Sequence, residues 1–328
     1  MHSEPPKSPI QSARSMKNSN PGVVMQDLAR DSVSPETAAE LRNRLLTFFR
    51  SPTYKPPVLP SIALELTELT RRSNVSYEDV VHVVEKDPLI VASVVKLAQS
   101  PLYGGRLPVQ SLKDALNRVG INTLRDMVWQ VVVTMRVFRA RGYTASIEQI
   151  QRHSVCTAYA ARIIAARAGI AAEHAFLCGL LHDVGWSGAL VAISDTDKNP
   201  PNSATVFAAI DKIHAEAGRA MATLWGLAPE IVAVIDHHHR LESAEDKSLP
   251  ALVPVLCIAE QLADTYGFGV GLATGSEAGE DPSLDQQLIG SFDVAVEMLR
   301  LKDKLDAIRL LVEEAANRLR SADLSDDM

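Results

Sequence analysis

An all-α fold made of many short helices is what this sequence predicts, and three observations carry that prediction. Leu, Val, Ile and Ala dominate a chain that is 46% hydrophobic but only 5% aromatic, a bias that favours helix. Apolar residues recur at spacings of three and four, while no alternating pattern bounded by hairpin turns occurs. Helix-start signals, a capping side chain followed by proline, punctuate the chain at Ser34-Pro35 and Asp87-Pro88. At 328 residues the expectation is two domains or one large one, and no fixed-period repeat is present.

The elements follow in order. Residues 1–33 are rich in Ser, Pro, Asn and Lys and offer too little to bury, so a disordered tail is expected. A first helical block spans 34–140. Its opening helix, from Ser34-Pro35, carries Ala38, Leu41, Leu45, Phe48 and Phe49 as one apolar stripe. That stripe reads as a docking face, with a homodimer contact or a membrane-surface helix as alternatives. Pro52, Pro56 and Pro57 then break the chain. Ile62, Leu66 and Leu69 mark a helix, and Ser76 caps the next, which carries Val80, Val81, Val83 and Val84. Asp87-Pro88 starts a helix through Ala98. The stretch Pro101-Leu102-Tyr103-Gly104-Gly105 reads as an exposed turn, a candidate for partner contact. Ser111 and Asp114 form a capping pair, and the apolar run Met127–Phe138 belongs in the core.

A second block spans 141–270. One long helix from Ser146 ends at Gly169, a second runs from about Ala171 to Ile193, and further helices are expected near 204–226, 229–239 and 253–266. A Gly- and acid-rich loop follows over 267–281. Two helices near 285–300 and 302–318 complete a C-terminal segment, 271–320, before an acidic tail, 321–328.

Composition excludes some functions. A formal net charge of −7 suggests no basic face and argues against general nucleic-acid binding, while leaving room for a small nucleotide in a pocket. Cys156, Cys178 and Cys257 show no paired spacing and read as reduced core thiols, which implies a cytoplasmic location. No uninterrupted apolar run reaches the ~18–20 residues of a membrane span.

The histidines are the most informative residues. Six of the nine fall in one series: His153, His182-Asp183, His214 and the triplet His237-His238-His239, with Asp264 closing it. Imidazole and carboxylate donors build zinc, manganese, iron and magnesium sites. The steps between them are each about one helix and its return, so they meet only if several helices pack around one centre. His182 and Asp183 diverge by about 100° on a continuous helix, so both reach one ion only at a helix end or where the backbone turns at Gly185. Asp183 would be the catalytic residue if the chain is an enzyme. Arg240 stands where it could contact phosphate. Asp236 reads as a surface carboxylate or as an orienter of a ligating imidazole, Trp186 as core packing, His82 and His174 as structural, and Lys113, Arg118 and Arg125 as a solvated face.

The order His153, His182-Asp183, Asp264 resembles the HD superfamily of metal-dependent phosphohydrolases. The additional His214 and His238-His239, with His237 as an alternative register, resemble its binuclear branch, which includes the HD-GYP cyclic-di-GMP phosphodiesterases. The chain departs from that branch in several places. Where HD-GYP reads His-Asp-Ile-Gly-Lys this chain reads His182-Asp183-Val184-Gly185-Trp186, without the lysine, no Gly-Tyr-Pro occurs, and Gln149 occupies the position of a frequent metal-site glutamate. The first block matches more closely. Leu59-Pro60, Asp87-Pro88-Leu89, Lys96-Leu97-Ala98-Gln99-Ser100-Pro101-Leu102-Tyr103-Gly104, Ser111-Leu112-Lys113-Asp114-Ala115 and Val119-Gly120 are similar to the HDOD family, the HD-related output domain. The resemblance implies a multi-helix HDOD fold with an HD-like helical subdomain and a role in bacterial signal transduction. Many HDOD members have lost the metal ligands, whereas this chain keeps them. The expectation is a signalling output protein with a divalent metal site (Mn, Fe, Mg or Zn), acting through a protein partner or a bound nucleotide. A metal-dependent phosphohydrolase is the alternative.

Overall fold

The computed structural model describes residues 36–70, 72, 74–104, 108–134, 137–170, 174–197, 201–241, 249–270 and 291–324. The expected N-terminal tail, the Ser34-Pro35 helix start, Gly105, residues 271–290 and the last four residues lie outside them. Among the described residues every regular element is helical, as the sequence predicts.

Four helices make the first block: α2 (Ser61–Thr70), α3 (Tyr77–Val84), α4 (Pro88–Gln99) and α5 (Leu112–Thr134). Their starts follow the capping chemistry. The Asp87 side chain accepts from the amides of Leu89 and Ile90, and Ser76 and Asp79 cap each other's backbone reciprocally. Asp114 accepts from the Gln110 amide while Ser111 accepts from that of Asp114. α5 is two helices joined at Gly120, where φ is 77° and only glycine sits without strain.

The second block contains α6 (Thr144–Ala168), α7 (Ala175–Leu181), α8 (Val184–Thr196), α9 (Ser203–Asp211), α10 (His214–Leu224), α11 (Pro229–His237) and α12 (Val253–Ala263). A wide turn, Asp264–Phe268, follows α12. The chain ends in α13 (291–298) and α14 (Leu305–Leu324), the latter running past the expected start of the acidic tail. α6 is the central element and packs against α7, α12 and α14. The apolar stretch Ala175–Thr196 is long enough by composition to cross a membrane, but most of it is buried inside this core and the polar doublet interrupts it.

Two elements sit differently from expectation. The first helix, α1 (Ala38–Phe49), starts after a Thr37/Glu40 capping box and belongs spatially to the second block, packing on α9 and α10. Leu41, Leu45 and Phe49 are buried there, worth about 1.5–3 kcal/mol each. Arg44 pairs with Asp197 at 2.7 Å and Arg50 grips Glu216 through two bonds of 2.6 and 2.9 Å. The stripe is therefore a docking face. Tyr103, expected on an exposed turn, is half-buried instead, its hydroxyl bonded to that of Tyr159 on α6.

Candidate metal centre

The sequence expects continuous helices over 171–193 and 204–226, but each breaks at a candidate donor. α7 stops at Leu181 and α8 starts at Val184, leaving His182 and Asp183 in the joint, where Asp183 leaves helical geometry (φ −100°, ψ 14°). α9 stops at Asp211, so His214 opens α10, and α11 stops at His237, so His238 and His239 lie in the turn beyond. Side chains at helix ends can aim at a common point that a regular helix would scatter.

Two glycines let these elements close in. A Cβ at Gly179 would lie 2.6 Å from the Cα of Ala158, so α7 rests directly on the backbone of α6 beside His153. A Cβ at Gly185 would lie 1.9 Å from the His214 carbonyl oxygen, so α8 rests on the first turn of α10. The doublet is thus flanked by one backbone contact toward each neighbouring histidine. Trp186 stacks on the His214 ring, with centroids 5.5 Å apart and 25° between planes, and packs in the core as expected.

The result is a cluster with two lobes that share Asp183. Donor atoms of His153, His182, Asp183 and Glu260 lie within 4.8 Å of one another, as do those of Asp183, His214, His238 and His239. Asp183 divides its oxygens between them. Oδ2 is 3.8 Å from His153 Nε2 and 3.4 Å from His182 Nε2, whereas Oδ1 is 3.6 Å from His214 Nε2 and 3.5 Å from His238 Nε2.

Four rings are fixed in one tautomer by the backbone. The Nδ1–H of His153 donates to Phe268, of His182 to Gly179, of His214 to Asp211 and of His238 to Ile235, at 2.7–3.0 Å. Each bond leaves an Nε2 lone pair facing the centre, the arrangement that orients metal-bound imidazoles. There acceptor meets acceptor between His153 and His182, whose Nε2 atoms are 3.2 Å apart, while His239, with no backbone bond to its Nδ1, has its Nε2 2.9 Å from that of His214. Asp183 Oδ1 and His238 Nε2 are buried with no hydrogen-bond partner. Such orphaned atoms cost about 1–3 kcal/mol each. Divalent cations fit this donor set because they satisfy all of these atoms at once.

The electrostatics agree. Burial pushes the His182 imidazole down to about 3, with His153 and His238 adding to the drop against the pull of Asp183. Burial also lowers His214 and, joined by its histidine neighbours, holds His239 well below its usual range. Burial alone would raise Asp183, yet the His182, His238, His214 and His153 rings around it keep its carboxyl well below the usual carboxylate range. Glu260 moves the other way, raised by burial and then by Asp183 and Asp264. Burial thus holds the His182, His214 and His239 rings toward the neutral form that can coordinate.

The structure brings together six of the seven predicted donors: His153, His182, Asp183, His214, His238 and His239. Asp264 is displaced. Its Oδ1 lies 3.5 Å from His153 Nδ1, behind the ring, and its side chain is 49% exposed. Glu260, one helical turn earlier, takes the inward position that the sequence reading gave to Asp264. The available signal was a carboxylate embedded in the apolar run Val255–Ala259. His237 turns outward and bonds the Ala233 carbonyl. Asp236 faces Arg219 at 3.5 Å. Arg240 is exposed, and its charge acts on Glu216. Gln149 donates to the Gly269 carbonyl at 3.1 Å. His239 and Asp264 are exposed and Glu260 half-buried, so the cluster is open to solvent on that side.

Fold and site together define an all-helical protein with an HD-type donor cluster. The HDOD domain family model matches residues 57–241, more than half of the chain, and the chain belongs to that family. The fold is shared with solved structures. An HDOD domain protein of Geobacter sulfurreducens, whose function is unknown, gives a TM-score of 0.58 at 22% identity, covering 84% of this chain and 97% of that one. A Shewanella amazonensis protein provisionally described as a metal-dependent phosphohydrolase gives 0.61 at 20% identity, covering 85% and 99%. A Marinobacter aquaeolei protein provisionally described as a signal transduction protein gives 0.51 at 21% identity, covering 86% and 67%. In sequence, an uncharacterised Treponema pallidum protein is 26% identical over 61% of this chain, and the match spans 40% of that relative. Ribonuclease Y of Thermus thermophilus is 33% identical over 98 residues, which are 30% of this chain and 14% of that protein.

Proposed function

We propose that this HDOD protein holds divalent ions in both lobes of the cluster and hydrolyses phosphoesters there, within a signalling role. One observation carries the reading: the two oxygens of Asp183 face two separate histidine pairs. Asp183 would thus contribute one oxygen to each lobe. His153, His182 and Glu260 would complete one lobe, and His214, His238 and His239 the other. Bound divalent ions lower the pKa of coordinated water toward about 7 and polarise phosphoryl oxygens. The chain's own part is to fix the ring tautomers, keep His182, His214 and His239 neutral and leave the His239, Glu260 and Asp264 side open for substrate. The similarity to a ribonuclease and to a protein described as a phosphohydrolase supports the same chemistry.

A second reading, an output module in which the ion serves structure or regulation and the work is done on a protein partner, is favoured by a different observation. Trp186, buried in the core, stands in the position of the HD-GYP lysine, and Arg240 lies on the surface beside Glu216 rather than in the cluster.

The test couples metal analysis to turnover of p-nitrophenyl phosphate and bis(p-nitrophenyl) phosphate with Mn²⁺, Fe²⁺, Mg²⁺ and Zn²⁺ in turn. Metal should co-purify or reload, and His182→Ala and Asp183→Ala should each lose it. Unchanged metal content in both variants sinks the metal centre. Full metal loading without turnover of either ester removes the hydrolase reading and leaves the output module.

A further inference from the structure

We propose that the groove between α4, the C-terminal end of α5, α6 and α14 binds a small amphipathic anion, and that its occupancy is coupled to the metal centre through Phe268. The coupling rests on the metal-centre reading above; the binding does not.

The groove has a volume of about 850 Å³, within the roughly 300–1,000 Å³ of small-molecule sites. It is separate from the cluster. Glu148, Gln151, Arg152 and Val155 line it from one face of α6, whereas His153 leaves that helix toward α7. Its walls supply three kinds of contact. Lys96 on α4 and Arg152 on α6 bring two positive charges against the one carboxylate of Glu148. Leu97, Leu102, Val131 and Leu319 bring apolar surface. Ser100 brings a hydroxyl whose Oγ is buried in the wall without a hydrogen-bond partner. An unmet buried hydroxyl favours a ligand that completes it. The chemistry that satisfies all three is an anionic head on an apolar or planar body, supplied by a mononucleotide or by a short-chain carboxylate amphiphile.

Phe268 connects the groove to the centre. Its side chain lines the groove, held between the guanidinium groups of Arg152 and Arg320 at 5.9 and 5.5 Å from the ring centroid. Its carbonyl oxygen accepts the Nδ1–H of His153 at 3.0 Å. An anion that draws Arg152 toward itself alters the grip on Phe268 and hence the ring that points Nε2 at the centre. Metal and groove ligand must then shift each other's affinity by the same factor.

The experiment is calorimetric titration of GMP and, separately, of decanoate into metal-free and manganese-loaded protein. One of the two should bind metal-free wild type saturably, and which one binds identifies the source. Binding should weaken by about tenfold or more in Lys96→Glu, which reverses a charge, and vanish in Leu97→Trp, which fills the groove. The bound probe should change manganese affinity by about threefold or more. In Phe268→Leu the probe should still bind while that change disappears. Lys96→Glu and Leu97→Trp are independent, so a folding defect in one, seen by circular dichroism, leaves the other decisive. The proposal is overturned if neither probe binds, if binding survives both groove substitutions, or if manganese affinity ignores the bound probe. Because binding is scored on metal-free protein, failure of the groove and failure of the metal centre give different results.

Discussion

Two buried polar clusters flank α6, and they are built on opposite principles. In the first, between α5, α6 and the turn after α4, donors meet acceptors. Arg162 pairs with Asp126 at 3.2 Å and lies over the rings of Tyr159 and Phe176 at 5.1 and 5.4 Å. Tyr159 donates to Gln130 at 3.0 Å and bonds the Tyr103 hydroxyl. In the second, around Asp183, the lone pairs of His153 and His182 and the carboxylate oxygens face one another, and two buried atoms have no partner. The first cluster is complete as a cross-link between the two helical blocks. The second leaves buried atoms unmet within the protein, which a bound cation would satisfy, and it keeps this arrangement because Gly179, Gly185 and four backbone carbonyls hold the rings in place. A polar cluster that cannot satisfy itself is the better marker of a functional site.

The sharpest way to break the comparison is to remove one residue from each cluster. Asp183→Ala should lower metal affinity by about a hundredfold or more in both lobes, read by metal titration, while the metal-free protein stays folded. Arg162→Ala should do the reverse. It leaves Asp126 buried and unpaired, so denaturant unfolding should show a loss of about 3 kcal/mol with metal content unchanged. If Arg162→Ala lost metal instead, the two clusters would not be independent.

The clusters should also respond oppositely to pH. Burial raises the Asp126 carboxyl to about 6 against the pull of Arg162 and Arg125. A folded pKa above the unfolded 3.8 means its contribution is present at low pH and lost as pH rises through about 6. His182 has a folded pKa of about 3 against 6.5 unfolded, and His214 and His239 shift the same way. The unfolded chain binds more protons there, so their contribution is lost as pH falls below 6.5 toward 3. Thermal unfolding of Arg162→Ala and of Asp183→Ala from pH 4 to 8 separates the two signs. Wild type loaded with metal should resist the acid loss until the ions are displaced.

Smaller effects sharpen the picture. Asp264→Asn should weaken metal binding by about tenfold or less, since this carboxylate orients His153 from behind. Glu260→Gln should cost more than Asp264→Asn, and the opposite order would restore Asp264 as the donor. Tyr103→Phe should cost about 1 kcal/mol of stability, the worth of one hydrogen bond, and leave metal affinity alone.

Much of this was legible in the sequence because it is local. Capping at Ser76 and Asp87, the apolar stripes, the all-α class and the His-Asp doublet each depend on a few consecutive residues. The HDOD segments of the first block were legible for the same reason. What the sequence could not rank were choices between residues that local rules treat alike. Glu260 and Asp264 lie one turn apart on the same helix face, and only the end of α12 at Ala263 and the turn that follows decide that the first points inward. His237, His238 and His239 are chemically identical, and the end of α11 selects the last two. The breaks at His182-Asp183 and before His214 interrupt apolar patterns that read as continuous helix. They become visible only when α7 and α8 press their glycines against α6 and α10. Sequence by itself thus determined the helices and the inventory of donors. The tertiary structure decided which donors converge, because convergence depends on where helices end and how closely their backbones approach.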